Sequence, residues 1–192
     1  HGVSDGAFTD GTIGSWMQDT LDIIDACTEG PVVLVGSSMG GWISLLVALE
    51  RPDRVKGLIG IAAAPDFTKD MMDVRLAPEQ QDALFSEGQV ALPNDYSDEP
   101  YIITKALVED GNARSLLHDR IGLSIPVRLV QGMKDADVEW QKAHRIKNAI
   151  MKENDSADVD VLLIEDGDHR LSREEDLKII DDQVAYMNGK LF

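Results

Sequence analysis

Cysteine is almost absent: the 192 residues contain one, Cys27. An internal disulfide framework and any multi-cysteine zinc site are thereby excluded. Aromatic residues make up only 5% of the chain. No stretch approaches the ~18–20 uninterrupted apolar residues that a membrane span requires. Basic residues are also scarce, 18 Lys and Arg against 35 Asp and Glu, for a net charge of −17. Phosphate backbones and anionic membrane surfaces repel so acidic a chain, and nucleic acid is not an expected partner. His1–Asp10 has neither a basic start nor an apolar core, so no signal peptide is visible there. These absences together give the expectation of a cytoplasmic protein.

What remains is the composition of a soluble globular domain, 43% hydrophobic and 28% charged. Four short apolar runs rich in β-branched residues read as buried strands of a parallel sheet: Pro31–Val35, Val55–Ala62, Pro126–Gln131 and Val159–Ile164. Helical patterns separate them, over Thr12–Ala26, Gly41–Glu50, Trp140–Met151 and Glu174–Met187. Alternating strand and helix is the signature of an α/β fold. The alternation breaks once, between the second and third strands. Helical segments are expected there around Pro78–Ser86, Tyr101–Gly111 and Asn112–Leu117, with an acidic loop at Leu92–Pro100. An insertion of that length inside a compact domain reads as functional. The expected organisation is a core formed by 1–65 and 125–192, with a helical cap at 66–124.

The first strand runs into Gly36-Ser37-Ser38-Met39-Gly40-Gly41, which contains G-x-S-x-G at Gly36, Ser38 and Gly40. A serine on a sharp strand-to-helix turn is held in a strained backbone with its hydroxyl pushed outward. Glycines two residues either side are the permissive choice where a side chain would crowd the turn. The flanking strand and the helix that follows supply the context the motif needs. Ser38 is the candidate nucleophile; Ser37 lacks glycines at both offsets. The amide of Met39, at the helix N-terminus, is the candidate oxyanion donor.

A serine hydroxyl needs a base, and the base needs an orienting carboxylate. The third strand ends in Gly132-Met133-Lys134-Asp135 and the fourth in Glu165-Asp166-Gly167-Asp168-His169. Both polar termini fall just past strand C-termini, where open α/β sheets place their active sites. Ser38, Asp135 and His169 also follow the chain order expected of nucleophile, acid and base on such a sheet. His1, His118 and His144 lie elsewhere and read as surface or packing residues. Asp137, Asp166 and Asp168 rival Asp135, although Asp166 and Asp168 read better as shaping the loop before the last helix. Cys27, in an apolar-periodic helix, is expected to be buried.

These segments, GSSMGGW, GMKDADVEW and GDHRLSREED, resemble the α/β-hydrolase superfamily. They are most similar to the branch holding a mitochondrial acyl-glucuronide esterase and protein depalmitoylase together with bacterial relatives. Asn94–Glu99 and Ile125–Leu129 share the likeness, which covers nearly the whole chain. The resemblance implies a three-layer α/β-hydrolase fold and cofactor-free serine hydrolysis of carboxylic esters or thioesters, with Ser38, Asp135 and His169 as the triad. No metal is implied. Glu139, where the branch carries proline, departs from the pattern and adds charge near the entrance. His1–Gly6 matches the family's loop after its fourth strand. The expectation is therefore an N-terminally truncated fold that lacks the loop supplying a second oxyanion amide. Pro31–Val35 would then be an open apolar edge, which strands do not tolerate, and self-association covering it is expected.

An ester or thioester hydrolase is the leading reading. Met71, Met72, Leu76, Leu84, Phe85 and Ile102 could line an acyl pocket or simply pack the cap. Perhydrolase, C–C hydrolase and acyltransferase chemistries can use the same residues. A truncated, feebly active interaction protein is the reading from another class.

Overall fold

Strand register decides where the loops of this protein emerge. In the computed structural model, which describes residues 4–93 and 100–191, four parallel strands lie in the order β1-β2-β5-β6. They are β1 (Val32–Ser37), β2 (Val55–Ile61), β5 (Val127–Gly132) and β6 (Val159–Ile164). Ser37 pairs with Ile61, Ile61 with Val130, and Gly132 with Ile164. The C-terminal ends are therefore level, and the segments leaving β1, β5 and β6 all start from one edge of the sheet.

The chain divides into two compact units, one of residues 1–18 and 66–115, the other of 19–65 and 116–192. The sheet belongs to the second. Its inner strands β2 and β5 are buried almost throughout, whereas β1 and β6 are mixed. Burial, rather than an unbroken apolar run, marks the inner pair: β2 carries Lys56 and β5 carries Arg128, whereas the edge strand β1 opens on four apolar residues. Side chains alternate across a strand, and Ile59, Ile61 and Val130 share one face. There they form a core with Leu171 and with Met187 of α7 (Glu174–Leu191). Leu58 and Leu129 point to the opposite face and are also buried. α2 (Met39–Glu50) packs on β1 and β2, and α6 (Gln141–Met151) on β5 and β6. The arginine inside β5, Arg128, is buried; it donates to Asp158 across 2.9 Å and lies over the Tyr186 ring.

In the first unit, α3 (Phe67–Asp70) runs into a five-residue π turn (Met71–Arg75), followed by α4 (Pro78–Glu87). β3 (Gln89–Leu92) and β4 (Tyr101–Thr104) then pair antiparallel before α5 (Lys105–Ala113). This hairpin corrects the expectation of helix from Tyr101: the first four residues, YIIT, pair as strand. Thr104 then caps α5 by accepting the Leu107 N–H at 3.1 Å. The helix expected over Asn112–Leu117 is absent past Ala113. Met71, Leu76 and Leu84 are buried, and Phe85 is exposed. α1 (Ile13–Cys27) contributes its first turns to this unit and its remainder to the sheet-bearing one. Cys27, at its end, is exposed rather than buried. His1-Gly2 and Asn94–Glu99 lie outside the described residues.

Candidate active site

Ser38 sits between β1 and α2 with φ 52° and ψ −119°, a conformation a non-glycine residue adopts only under restraint. The restraint is backbone hydrogen bonding. Ser38 donates its N–H to the Ile61 carbonyl at 2.8 Å, and its own carbonyl accepts from Gly41 and Ala64, both at 3.0 Å. The turn is thus tied to the end of β2 as well as to its own helix. The glycines divide differently from the expected pattern. A Cβ on Gly36 would meet the Gly40 carbonyl and lie 2.5 Å from Ser44 Oγ, and one on Gly41 would lie 2.6 Å from Ala63 Cβ. A Cβ on Gly40 would meet nothing within 4 Å. Close approach therefore requires Gly36 and Gly41, and the expectation that Gly40 is crowded is corrected. Met39 is the first residue of α2, where amides have no partner within the helix.

Asp135 follows β5 in a tight loop. Its side chain is fully buried, and both carboxylate oxygens are occupied. Oδ1 accepts the backbone N–H groups of Asp137 and Val138, each at 2.8 Å. Oδ2 accepts from Gln131 Nε2 and His169 Nδ1, each at 2.9 Å. Burial pushes the Asp135 carboxyl up, but the His169 hydrogen bond and the two amides outweigh it and hold the group below the usual carboxylate range.

His169 lies after β6. A carboxylate can only accept, so Nδ1 carries the proton facing Asp135, leaving Nε2 as an acceptor 3.1 Å from Ser38 Oγ. The Asp135 hydrogen bond raises the imidazole above its ordinary value. Burial opposes that rise, while the charges of Asp135, Asp137 and Asp168 add to it. Two of the rival acids have other work. Asp168 Oδ1 accepts the N–H groups of Arg170 and Leu171 at 3.0 and 2.9 Å. Asp166 pairs with Arg173, which also reaches the buried Asp176 at 2.7 Å. His118 and His144 are exposed, and His144 stacks edge-on against Trp140. Glu139, expected to add charge, is paired with Arg145 at 2.6 Å.

The loops carrying Asp135 and His169 are also joined through backbone. Met133 donates its N–H to Ile164 at 2.8 Å and Lys134 to Gly167 at 2.9 Å. A Cβ on Gly132 would collide with the carbonyls of Gly167 and Asp168. Neither the glycine requirement at 132 nor the contribution of Gln131 was visible in the sequence. The only available signal was a polar residue and a glycine ending a strand that is apolar at Val127, Leu129 and Val130. Ligand atoms of Asp135, Asp137 and His169 lie within 4.8 Å of one another, a spacing compatible with a metal. The four N–H donors already on Asp135 make that cluster a hydrogen-bonded network. A chain of acceptors leading from a buried carboxylate through an imidazole to a serine hydroxyl is able to withdraw a proton from that hydroxyl.

Comparison with known proteins places the fold. The family model described as "alpha/beta hydrolase fold" matches residues 2–102. The chain belongs to that family.

This α/β hydrolase is 39% identical over 180 residues to mouse palmitoyl-protein thioesterase ABHD10, mitochondrial, a match covering 93% of the chain. It spans 59% of that relative's length. The structure of alpha/beta hydrolase domain-containing protein 10 from mouse superposes with a TM-score of 0.87 at 37% identity, over all of this chain and 75% of the other. A presumed hydrolase from Agrobacterium vitis S4 superposes with a TM-score of 0.91 at 39% identity, over 97% of this chain and 72% of its own. The cytoplasmic expectation is overturned by the palmitoyl-protein thioesterase relatives of mouse, rat and human, whose names carry "mitochondrial". An address is read from a leader segment and leaves no mark on a folded core, so composition had no bearing on it. Among the described residues, no helix is long and apolar enough to cross a membrane.

Proposed function

We propose that this hydrolase cleaves carboxylic esters or thioesters through an acyl-enzyme on Ser38. One observation carries the proposal: the run of contacts from Ser38 Oγ to His169 Nε2 at 3.1 Å and from His169 Nδ1 to Asp135 Oδ2 at 2.9 Å. Ser38 Oγ attacks the acyl carbon as its proton passes to His169 Nε2, and the Met39 N–H donates to the oxyanion that forms. The tetrahedral adduct collapses as His169 protonates the departing alcohol or thiol. Water then enters, gives a proton to His169 and hydrolyses the acyl-serine; Ser38 recovers its proton and the carboxylic acid leaves. Asp135 keeps the imidazole in the reacting tautomer and stabilises the imidazolium. Long-chain acyl thioesters are the favoured substrates, a reading supported by the name of the mouse relative.

The test is a fluorophosphonate probe applied to the wild type and to Ser38→Ala, followed by p-nitrophenyl esters and acyl-cysteine thioesters of rising chain length. Ser38-dependent labelling with turnover of either series supports the proposal. A wild type that neither labels nor turns over sinks it and favours an interaction protein. We further propose that a second copy covers β1, an edge strand in the sheet with Val35 49% exposed. A clean monomer in sedimentation at low concentration would overturn that.

A further inference from the structure

Gln131 is the penultimate residue of β5 and is 1% exposed. Its Nε2 lies 2.9 Å from Asp135 Oδ2 and 3.3 Å from the carbonyls of both Gly132 and Val138. All three neighbours are acceptors, which fixes the orientation of the amide. Turning it over would set Oε1 against a carboxylate and two carbonyls. In the orientation that remains, Oε1 is buried and has no hydrogen-bond partner among the described residues. A buried acceptor left without a donor is destabilising, and an apolar side chain of the same shape would not be. The preceding residues of the strand, Leu129 and Val130, are apolar and buried. Folding alone therefore favours an apolar residue at 131, and what sets the glutamine apart is its N–H on Asp135.

We propose that Gln131 is a positioning residue that fixes the plane of the Asp135 carboxylate and shares its Oδ2 with His169. The Asp137 and Val138 amides hold Oδ1 from the loop, and Gln131 holds Oδ2 from the strand. The carboxylate is pinned at both ends, and one lone pair of Oδ2 is left for His169 Nδ1. Sharing that oxygen also moderates the pull of Asp135 on the imidazole. The anions Asp135, Asp137 and Asp168 act on His169 in the same direction, so a neutral donor on Oδ2 is a brake on their combined effect. The role assigned to Asp135 rests on the serine-hydrolase reading; the effect on His169 does not.

The test uses Gln131→Met and Gln131→Leu, which keep bulk and remove the donor. Thermal melting, NMR titration of the His169 ring protons, and the pH profile of p-nitrophenyl acetate hydrolysis are compared with wild type. Both variants are expected to fold and to melt no lower than wild type. The His169 midpoint should rise by about half a pH unit as Oδ2 loses its competing donor. The acid limb of kcat/KM should follow it, and kcat should fall on the order of tenfold with KM unchanged as the carboxylate gains freedom to rotate. An unchanged His169 midpoint overturns the proposal. So does failure of both variants to fold, since the amide would then serve the fold. If the wild type never labels at Ser38, the function reading fails, and the His169 titration still decides the role of Gln131.

Discussion

Lys134 donates its backbone N–H to the carbonyl of Gly167 across 2.9 Å, tying the loop that carries Asp135 to the loop that carries His169. With the Met133–Ile164 bond beside it, this makes the distance between Asp135 and His169 a property of the main chain as much as of the two side chains. Gly132 is what lets the loops approach so closely. Gly132→Ala would drive a methyl group into the Gly167 and Asp168 carbonyls and push the base loop outward. The expected result is a fall of about 10²-fold in the rate of Ser38 phosphonate labelling, the scale of a displacement near 1 Å. Labelling rates read at a temperature well below the variant's melting point check this.

The glycines of the serine turn give a sharper test because they are not equivalent. Gly36→Ala and Gly41→Ala each force a Cβ into packed atoms and should destabilise by about 1–3 kcal/mol. Gly40→Ala enters open space within a helix, where alanine is preferred by about 1 kcal/mol, and should match or exceed the wild type. Urea unfolding of the three variants decides the order.

Asp135→Asn should remove the carboxylate while keeping its shape. The base must be neutral to act, so wild-type activity is lost as pH falls through the raised pKa of His169. The asparagine variant loses the charge that raises it, and its acid limb should move to lower pH. Its plateau should fall by about 10⁴-fold, because an amide can present its NH₂ and favour the wrong tautomer. The stability signs run in opposite senses. The raised His169 contributes fully below about pH 6.5 and is lost as pH rises through its folded value. The depressed Asp135 contributes above about pH 3.9 and is lost as pH falls through its folded value. The urea midpoint difference between wild type and Asp135→Asn should therefore be largest between those two pH values.

Arg173 bridges Asp166 in the base loop and Asp176 in the first turn of α7. Asp176 has a side chain wholly shielded from solvent, whereas Asp166 is 61% exposed. Arg173→Met should therefore lower the melting temperature and slow labelling, since it strands a buried carboxylate. Asp166→Asn should change little, since exposed pairs contribute little. Equal effects from the two variants would show that the bridge to Asp176 does not matter.

Most of the sheet was legible because its strands are short runs rich in β-branched residues, bounded by Gly, Pro or Asp; Val159–Ile164 was read to the residue. The β3–β4 hairpin was not legible. Four residues such as QVAL carry too little period to separate strand from helix, and pairing with YIIT is a non-local fact. Ser38, Asp135 and His169 were legible because each ends a strand or lies in the loop just after one, where chain order and residue type suffice. Gln131 was invisible because its importance lies in three acceptors converging on one nitrogen. Gly40 was misread because the motif does not say which of its glycines faces a neighbour.

The contact between Ser38 and His169 joins positions 131 residues apart. Closing so long a stretch of chain costs entropy before the contact rewards it. A partly folded chain can hold β1 and α2 and still have no base beside the serine. Phosphonate reactivity at Ser38 is thus a clock for refolding: its appearance after dilution from denaturant marks the moment when the distant segment carrying His169 docks, separately from any signal of helix formation.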